Sequence, residues 1–428
     1  MKIAIIGAGI GGMAAAYDLA RAGHQVAIYE AADYVGGLSS GFKEPHWEWS
    51  VERYYHHWFA SDQHILNLID ELGLREKVVF PRPYTVVYHH ERFYPLDSPL
   101  AALTFPGFNF FDMARFGLVT TYLRYLSRWQ PLERYTAVSW LRRWYGTRLY
   151  IALVEPLLMG KFGPHYQEVT MAWFWARTKA RTTRLGTYEG GFQAFADTFA
   201  DKLRRLGVEI RLSTPASRLS QFSAWELTIE TSAGPERWDR CLVTVSPTRF
   251  AHLAPDLPAQ YQSDLLSLKS MGAVTVVLAL KHQLSTEGYY WYNIPKSAGF
   301  PFLILVEHTN FIPASKFGDD HIVYIGDYLE LEHEYFQLSK EELLDRFLPS
   351  LPRINPKFTP DWVRDGWLFR TNYAQPVPLV DHSKNLPPIQ TPVAGLYFAS
   401  MSQVYPWDRG TNFAVALGRE AARLMMQE

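Results

Sequence analysis

One cysteine, Cys241, stands among 428 residues. That excludes intrachain disulfides and cysteine-rich zinc or iron–sulfur sites, and it fits a reducing cytoplasm. Neither sign of charge prevails, since 42 lysines and arginines meet 43 acidic residues. No global field exists to draw in nucleic acid, which is not an expected partner. Long hydrophobic runs are also missing. A membrane-spanning helix needs roughly 18 apolar residues, and Arg115, Arg124 and Arg128 interrupt the apolar segment that follows Ser98. Repeats and low-complexity tracts are absent. The adjacent His56 and His57 lack the i, i+4 spacing of H-E-x-x-H, so no metal centre is expected.

Aromatic residues are abundant, with 26 Phe, 25 Tyr and 14 Trp. Such an excess suits a large, flat or apolar ligand. The length predicts two to three structural units, enough to bury a ligand between them. At the amino terminus an apolar run, Lys2 to Ile6, reads as a buried parallel strand, and Gly7-Ala8-Gly9-Ile10-Gly11-Gly12 follows it directly. This is G-x-G-x-x-G between a strand and a helix. Gly7 permits the tight turn, Gly9 lets the backbone approach a pyrophosphate, and Gly12 lets the helix pack on the strand. The helix is predicted over 13–22, with its amino-terminal N–H groups as the anion site. A second strand, 25–29, ends at Glu30, where an acid grips ribose hydroxyls and disfavours a 2′-phosphate. The expected class is α/β, with a Rossmann-like dinucleotide-binding domain.

Just past the acid stands Val35-Gly36-Gly37-Leu38-Ser39-Ser40. With this second glycine pair the chain resembles the superfamily of FAD-dependent amine oxidases, protoporphyrinogen oxidases and carotenoid desaturases, and more distantly UDP-galactopyranose mutase. The resemblance implies non-covalent FAD and a GR2-type fold, in which the Gly-Gly turn lies over the FAD phosphates. Many relatives carry Arg where this chain has Leu38, so Ser39 and Ser40 become candidate phosphate contacts. Further returns to the cofactor domain are implied at Gly190-Gly191, at 214–219 with Ala216 beside the adenine, at Ser246-Pro247, at Ala399-Ser400, and at Gly410-Thr411-Asn412, whose helix points at the flavin. Relatives commonly show Gly-Asp at 399–400, a carboxylate this chain lacks. The expected FAD-binding domain comprises 1–80, 186–250 and 386–428. An inserted α+β substrate domain is expected over 81–185 and 251–385, mostly helical up to 179 and with strands at 273–280 and 321–328.

Flavin chemistry asks the protein mainly to place a substrate bond over the ring and to exclude water, so catalytic residues are hard to read. The densest cluster is Tyr54-Tyr55-His56-His57-Trp58, which in relatives runs under the flavin. Adjacent histidines cannot share one strand face, so at most one should point at the ring. Glu307-His308 sets an acid and an imidazole in an apolar neighbourhood, which suits either proton transfer or a plain solvated turn. Tyr373 and Tyr405 flank the last strand and read either as substrate walls or as interdomain packing. Lys161, Arg177, Arg181 and Arg184 are either greeters of an anionic substrate or surface charges.

The main functional expectation is an FAD-dependent oxidoreductase that moves a hydride from an apolar, polyene- or porphyrin-like, or amine substrate to flavin N5. The alternatives are a redox-neutral isomerase resembling the mutase and a flavin-binding protein without turnover. The segment 100–129 combines Phe105, Phe108, Phe110, Phe111, Phe116, Leu118, Tyr122 and Leu126 with three arginines. Arg124 and Arg128 are expected on one helix face, and Leu118, Tyr122 and Leu126 on another. This segment suits either a lid helix or peripheral membrane contact by a cytoplasmic protein.

Overall fold

The computed structural model describes residues 1–96, 101, 105–223 and 226–427. Its first layer is a five-stranded parallel sheet in the order Glu209–Arg211, Gln25–Tyr29, Lys2–Ile6, Arg240–Val243, Leu396–Phe398. Both faces are covered, which is why Lys2–Ile6 reads as a continuous apolar run rather than an alternating one. Ile3 and Ile5 pack against the helices Ile10–Arg21, Gly191–Arg205 and Thr411–Gln427. Ala4 and Ile6 face Leu219, Leu227, Ile229 and Trp238 on an antiparallel meander of three strands. Cys241 is fully buried in this second core, where desolvation pushes its thiol well up. The Rossmann-like expectation holds. Helix and strand limits moved by up to three residues, the first helix opening at Ile10 directly on the glycine turn.

A seven-stranded sheet forms the second body, in the order Val363–Pro376, Ser270–Leu280, His321–Leu329, Ile304–Glu307, Tyr289–Asn293, Tyr84–His89, Arg92–Pro95. The strands expected at 273–280 and 321–328 are its paired centre. The region before 179 is less helical than expected. Tyr84–His89 and Arg92–Pro95 form a hairpin on the sheet edge, closed by His90 and Glu91 at φ 47° and 60°. The alternating aromatic and β-branched residues of this hairpin have strand character, which pairing with Tyr289–Asn293 makes decisive.

Helices from Phe110 to Ala180 share a separate apolar cluster around Leu141, Tyr150, Phe162 and Trp173. The expected helical character holds over 150–162, where a widened turn, Tyr150–Val154, runs into Glu155–Phe162 because Pro156 lacks the N–H that would continue a regular ladder. One expectation is corrected here. Arg124 and Arg128 do not share a helix face, because the helix ends at Leu126 and Ser127 is extended at φ −89°, ψ 161°.

Candidate active site

Each glycine of the amino-terminal loop has a distinct geometry. Gly7 sits at φ 110°, closed to most residues with a side chain. A Cβ on Gly12 would lie 2.3 Å from the Gly7 carbonyl oxygen, so only glycine lets the helix approach the strand. A Cβ on Gly11 would come within 3.0 Å of the Ala414 carbonyl, which brings the carboxy-terminal helix onto the loop. Gly9 differs, since a Cβ there meets nothing within 4 Å. It points into open space in front of the helix Ile10–Arg21, whose amino end no side chain caps. The second glycine pair closes over this space. Gly36 pairs with Gly9, its N–H donates to the Ala8 carbonyl at 2.9 Å, and a Cβ on Gly37 would stand 3.1 Å from the Gly9 Cα.

Glu30 ends its strand beside the loop and accepts the Ala8 and Ala32 N–H groups at 2.7 and 2.9 Å. The open cradle, the uncapped helix and the acid fit the pyrophosphate and ribose of a dinucleotide. Ser39 is buried and donates its hydroxyl to the Gly36 carbonyl at 2.8 Å, so it braces the turn. The string Gly37 to Gly41 formally reads G-x-S-x-G, yet its serine lies in a short 3₁₀ turn and not on a strand-to-helix elbow. Sequence reasoning missed Arg53, whose amide donates to Ser40 and whose guanidinium lies 4.4 Å over Tyr34 with Nε buried and unpartnered. It stands beside the loop that lacks the relatives' arginine. Only the fold brings the two together.

The other expected cofactor residues lie at the ends of the same sheet. The Ala216 carbonyl accepts from Arg249, and the Ser246 hydroxyl caps the helix Pro247–Leu253 by accepting the Arg249 N–H. Ser400 is buried and within 3.4 Å of the Tyr373 hydroxyl. Gly410 has open space around it. Thr411 accepts the Trp58 indole N–H at 2.8 Å, and Asn412 accepts the Ile65 N–H at 3.2 Å. The last helix is thereby tied to the segment that carries the two histidines.

A narrow cleft is lined by Leu38, Tyr54, Tyr55, His56, Asp327, Tyr328 and Arg409 among others. Leu38 follows the glycine turn, and Arg409 precedes the last helix, so the cleft adjoins both cofactor-side segments. The Nδ1 of His56 lies 2.5 Å from the Tyr54 carbonyl. A carbonyl can only accept, so Nδ1 carries the proton and Nε2 keeps the lone pair. His57 packs on Phe59 and Trp291 instead, its Nδ1 buried and unpartnered. Burial pulls both rings down, to about 4 for His56 and about 3 for His57, so both are neutral. Asp327 receives the Leu303 N–H at 2.9 Å, and burial pushes its carboxyl up to about 8.

The remaining candidates lie elsewhere. Glu307 is fully buried, accepts the Leu284 and Ser285 N–H groups at 2.7 and 2.9 Å, and is raised to about 8 by desolvation. His308 is enclosed by Phe311, Phe317 and Tyr324. Neither lines the cleft. Tyr373 bonds to Ser402 at 2.7 Å, whereas Tyr405 reaches Glu133 at 3.1 Å and packs on Trp129 and His382. The two tyrosines make no direct contact but are linked through Ser402 and His382, since Tyr373 bonds to Ser402 and Tyr405 packs on His382, whose ring interacts with the Ser402 backbone.

Beside Arg409 stand Lys161, Arg177 and Arg181, gathered about Asp408. Arg184 does not join them. Among the described residues no group of three or more His, Cys, Asp or Glu side chains could hold a metal ion.

Parallel sheet, glycine cradle and adjoining cleft define a dinucleotide-binding flavoprotein fold. The chain belongs to the flavin containing amine oxidoreductases, whose family profile matches residues 10–426, and FAD is the cofactor that membership implies. A provisionally assigned protoporphyrinogen oxidase from Exiguobacterium sp. 255-15 superposes with a TM-score of 0.79 at 20% identity, covering 100% of this chain and 99% of the other. Reduced UDP-galactopyranose mutase gives 0.76 at 15% identity over 100% and 95%. At such identities the likeness concerns the fold. A zeta-carotene desaturase from Synechocystis sp. is 33% identical over 78 residues, 18% of this chain and 16% of the relative. The chain thus matches only a small part of that curated relative's length.

Proposed function

We propose that this chain is an FAD-dependent oxidoreductase in which a hydride passes from a small-molecule substrate in the cleft to N5 of the flavin. The observation that carries the reading is the adjacency of cradle and cleft through Leu38 and Arg409. In this reading 1–80, 186–250 and 386–428 hold the cofactor, and 81–185 and 251–385 shape the substrate site. Bound FAD supplies the two-electron acceptor, and a second acceptor in solution restores it. The chain's own part is positioning and exclusion of water. Tyr54, Tyr55 and Tyr328 wall the cleft, Tyr55 and Tyr328 joined hydroxyl to hydroxyl at 3.0 Å. Neutral His56 offers Nε2 as an acceptor for a substrate hydroxyl. A cationic amine is disfavoured, because Arg409 lines the cleft with three more cations behind it.

Those cations also support a second reading, a redox-neutral isomerase acting on an anionic substrate. One anaerobic experiment separates the two. Candidate polyenes, porphyrinogens, amines and phosphorylated sugars are added to the oxidised holoenzyme while its visible flavin band is followed. Bleaching by a substrate alone supports the oxidoreductase. Turnover that requires prior chemical reduction, with no bleaching, would replace it with the isomerase.

We also propose peripheral membrane contact through the helix Phe110–Thr121 and its continuation Tyr122–Leu126. Met113 and Leu123 face the core, while Phe110, Phe111, Leu118 and Leu126 are 77, 79, 73 and 75% exposed. A contiguous apolar stripe this bare needs a covering surface. The arginines contribute less than expected, because Arg115 donates to the Arg143 and Trp144 carbonyls and Arg124 to those of Thr178 and Arg181. Part of the expected segment, 100 and 102–104, lies outside the described residues. Flotation with anionic liposomes tests the reading: wild type should float, and Phe110→Asp plus Phe111→Asp should not. Equal behaviour of the two proteins would leave a soluble lid.

A further inference from the structure

Four cations crowd one carboxylate beside the cleft. Asp408 Oδ2 lies 2.9 Å from Lys161 Nζ, 3.6 Å from Arg181 Nη2 and 3.9 Å from Arg177 Nη1. Arg409 joins through Gln375, whose Oε1 accepts from Lys161 at 2.8 Å and from Arg409 at 2.9 Å. They come from separate parts of the chain, the helices Glu155–Phe162 and Met171–Ala180, the residue that ends the latter, and the turn before the last helix. Such convergence is made by the tertiary fold. Lys161, Arg177 and Asp408 are largely withdrawn from water, with side-chain exposures of 13, 17 and 16%, while Arg181 at 37% reaches the solvent.

Asp408 and Asp62 balance only part of this charge. Trp173 donates its indole N–H to Asp408 and lies under Lys161 and Arg177 at 5.3 and 5.9 Å, so it offers only its ring face. Tyr328 takes a hydrogen bond from Arg409 with a hydroxyl. His57 is neutral, and Asp327, raised to about 8, is protonated at neutral pH. Asp62, raised only to about 6 by burial, stays mostly ionised at neutral pH, accepts the Phe59 N–H and offsets part of the charge of Arg181. Meanwhile Arg177 Nη1 is buried and makes no hydrogen bond. Partly compensated cations withdrawn from water are costly, and a ligand that supplies the missing charge relieves that cost. Burial, with repulsion from the neighbouring guanidinium groups, accordingly drags Lys161 and Arg177 well below their ordinary ranges.

We infer that Lys161, Arg177, Arg181 and Arg409 form a recognition site for a phosphate-class oxyanion carried by the substrate, with Arg409 on the cleft wall and Arg177 Nη1, ion-paired at 3.9 Å but without a hydrogen bond, as donors. The inference rests on the reading of the cleft as the substrate site. A single carboxylate would leave part of the cationic excess over Asp408 and Asp62 unmatched, whereas a phosphate or diphosphate meets it. Guanidinium groups suit such oxyanions through paired N–H donors. Asp408 then holds the mutually repelling cations together before substrate arrives.

Inorganic pyrophosphate is the probe, titrated into the FAD-loaded protein at fixed ionic strength and read by thermal shift and by the flavin difference spectrum. Wild type should show saturable stabilisation that putrescine, a dication, does not produce. Arg177→Met should weaken pyrophosphate binding about tenfold or more, while its melting temperature without the anion stays at or above that of wild type, since one repelling cation is gone. A merely structural arginine would instead lower that temperature. Arg409→Met should weaken binding as well, and it serves as the second variant should the first fail to fold. No saturable stabilisation, or identical titrations for wild type and both variants, would overturn the inference. Failure of the flavin reading is distinguishable: thermal stabilisation without any change in the flavin spectrum would leave the anion site standing but remove it from the cofactor's vicinity.

Discussion

Replacing Gly9 by valine should abolish FAD retention while leaving the apoprotein folded. Gly9 is at φ −70° and ψ 167°, a conformation open to every residue and favourable for a β-branched one. Its missing Cβ faces empty space, with no atom within 4 Å. Nothing in the protein is displaced, and as a helix N-cap without a side-chain bond it loses no cap. Apoprotein stability should fall by no more than about 1 kcal/mol. The side chain would instead occupy the space through which phosphate oxygens reach the uncapped N–H groups of the helix at Ile10. Hydrogen bonds to charged groups contribute about 1.5–3 kcal/mol each, so losing two raises the FAD Kd roughly a hundred- to ten-thousand-fold. The assay pairs flavin stoichiometry after ultrafiltration with urea unfolding of the apoprotein. Gly12→Ala is the contrast, because its Cβ would strike the Gly7 carbonyl oxygen at 2.3 Å and should destabilise the fold itself. A Gly9→Val protein that keeps FAD at wild-type stoichiometry and affinity would refute the reasoning.

Denaturation by acid or heat should release intact FAD into the supernatant, since the only cysteine is buried in the core of the parallel sheet; flavin that remains with the precipitated chain would contradict this. Asp327→Asn should flatten the pH dependence of stability. Its carboxyl is raised from 3.8 to about 8 when folded, so between those pH values the unfolded chain releases a proton that the native state keeps, and wild type loses stability as pH rises. Urea midpoints at pH values near each end of that window should differ more for wild type than for the variant, and an equal difference would count against it. Trp58→Phe should loosen the last helix by removing the indole bond to Thr411, a loss of about 1 kcal/mol in the unfolding free energy.

The cofactor half was legible because its determinants are local and consecutive. A turn that only glycine can make, a backbone approach that only glycine permits and an acid at a strand end all fall within one βαβ unit, so spacing along the chain reports spacing in the fold. Leu38 and Ser39 show where that reasoning thins. The missing arginine was visible, but its neighbour in space, Arg53, comes from a different strand pair and has no sequence signature. The substrate half follows the opposite rule. Glu307 and His308 resemble an acid–base pair in sequence, yet a strand end turns the carboxylate onto the backbone of 284–285 and the imidazole into a ring of aromatics. Their apolar neighbourhood, read as a dry active site, is the interior of a sheet. Conversely Lys161, Arg177 and Arg181 read in sequence either as greeters of an anionic substrate or as surface charges, and only the packing of two helices against the turn at Asp408-Arg409 brings them together. Charge of one sign is legible in sequence where it runs along a chain. The run Arg177, Lys179, Arg181 and Arg184 shows in sequence as a basic stretch, but its meeting with Lys161 and Arg409 at a single carboxylate appears only when the fold brings separated elements together.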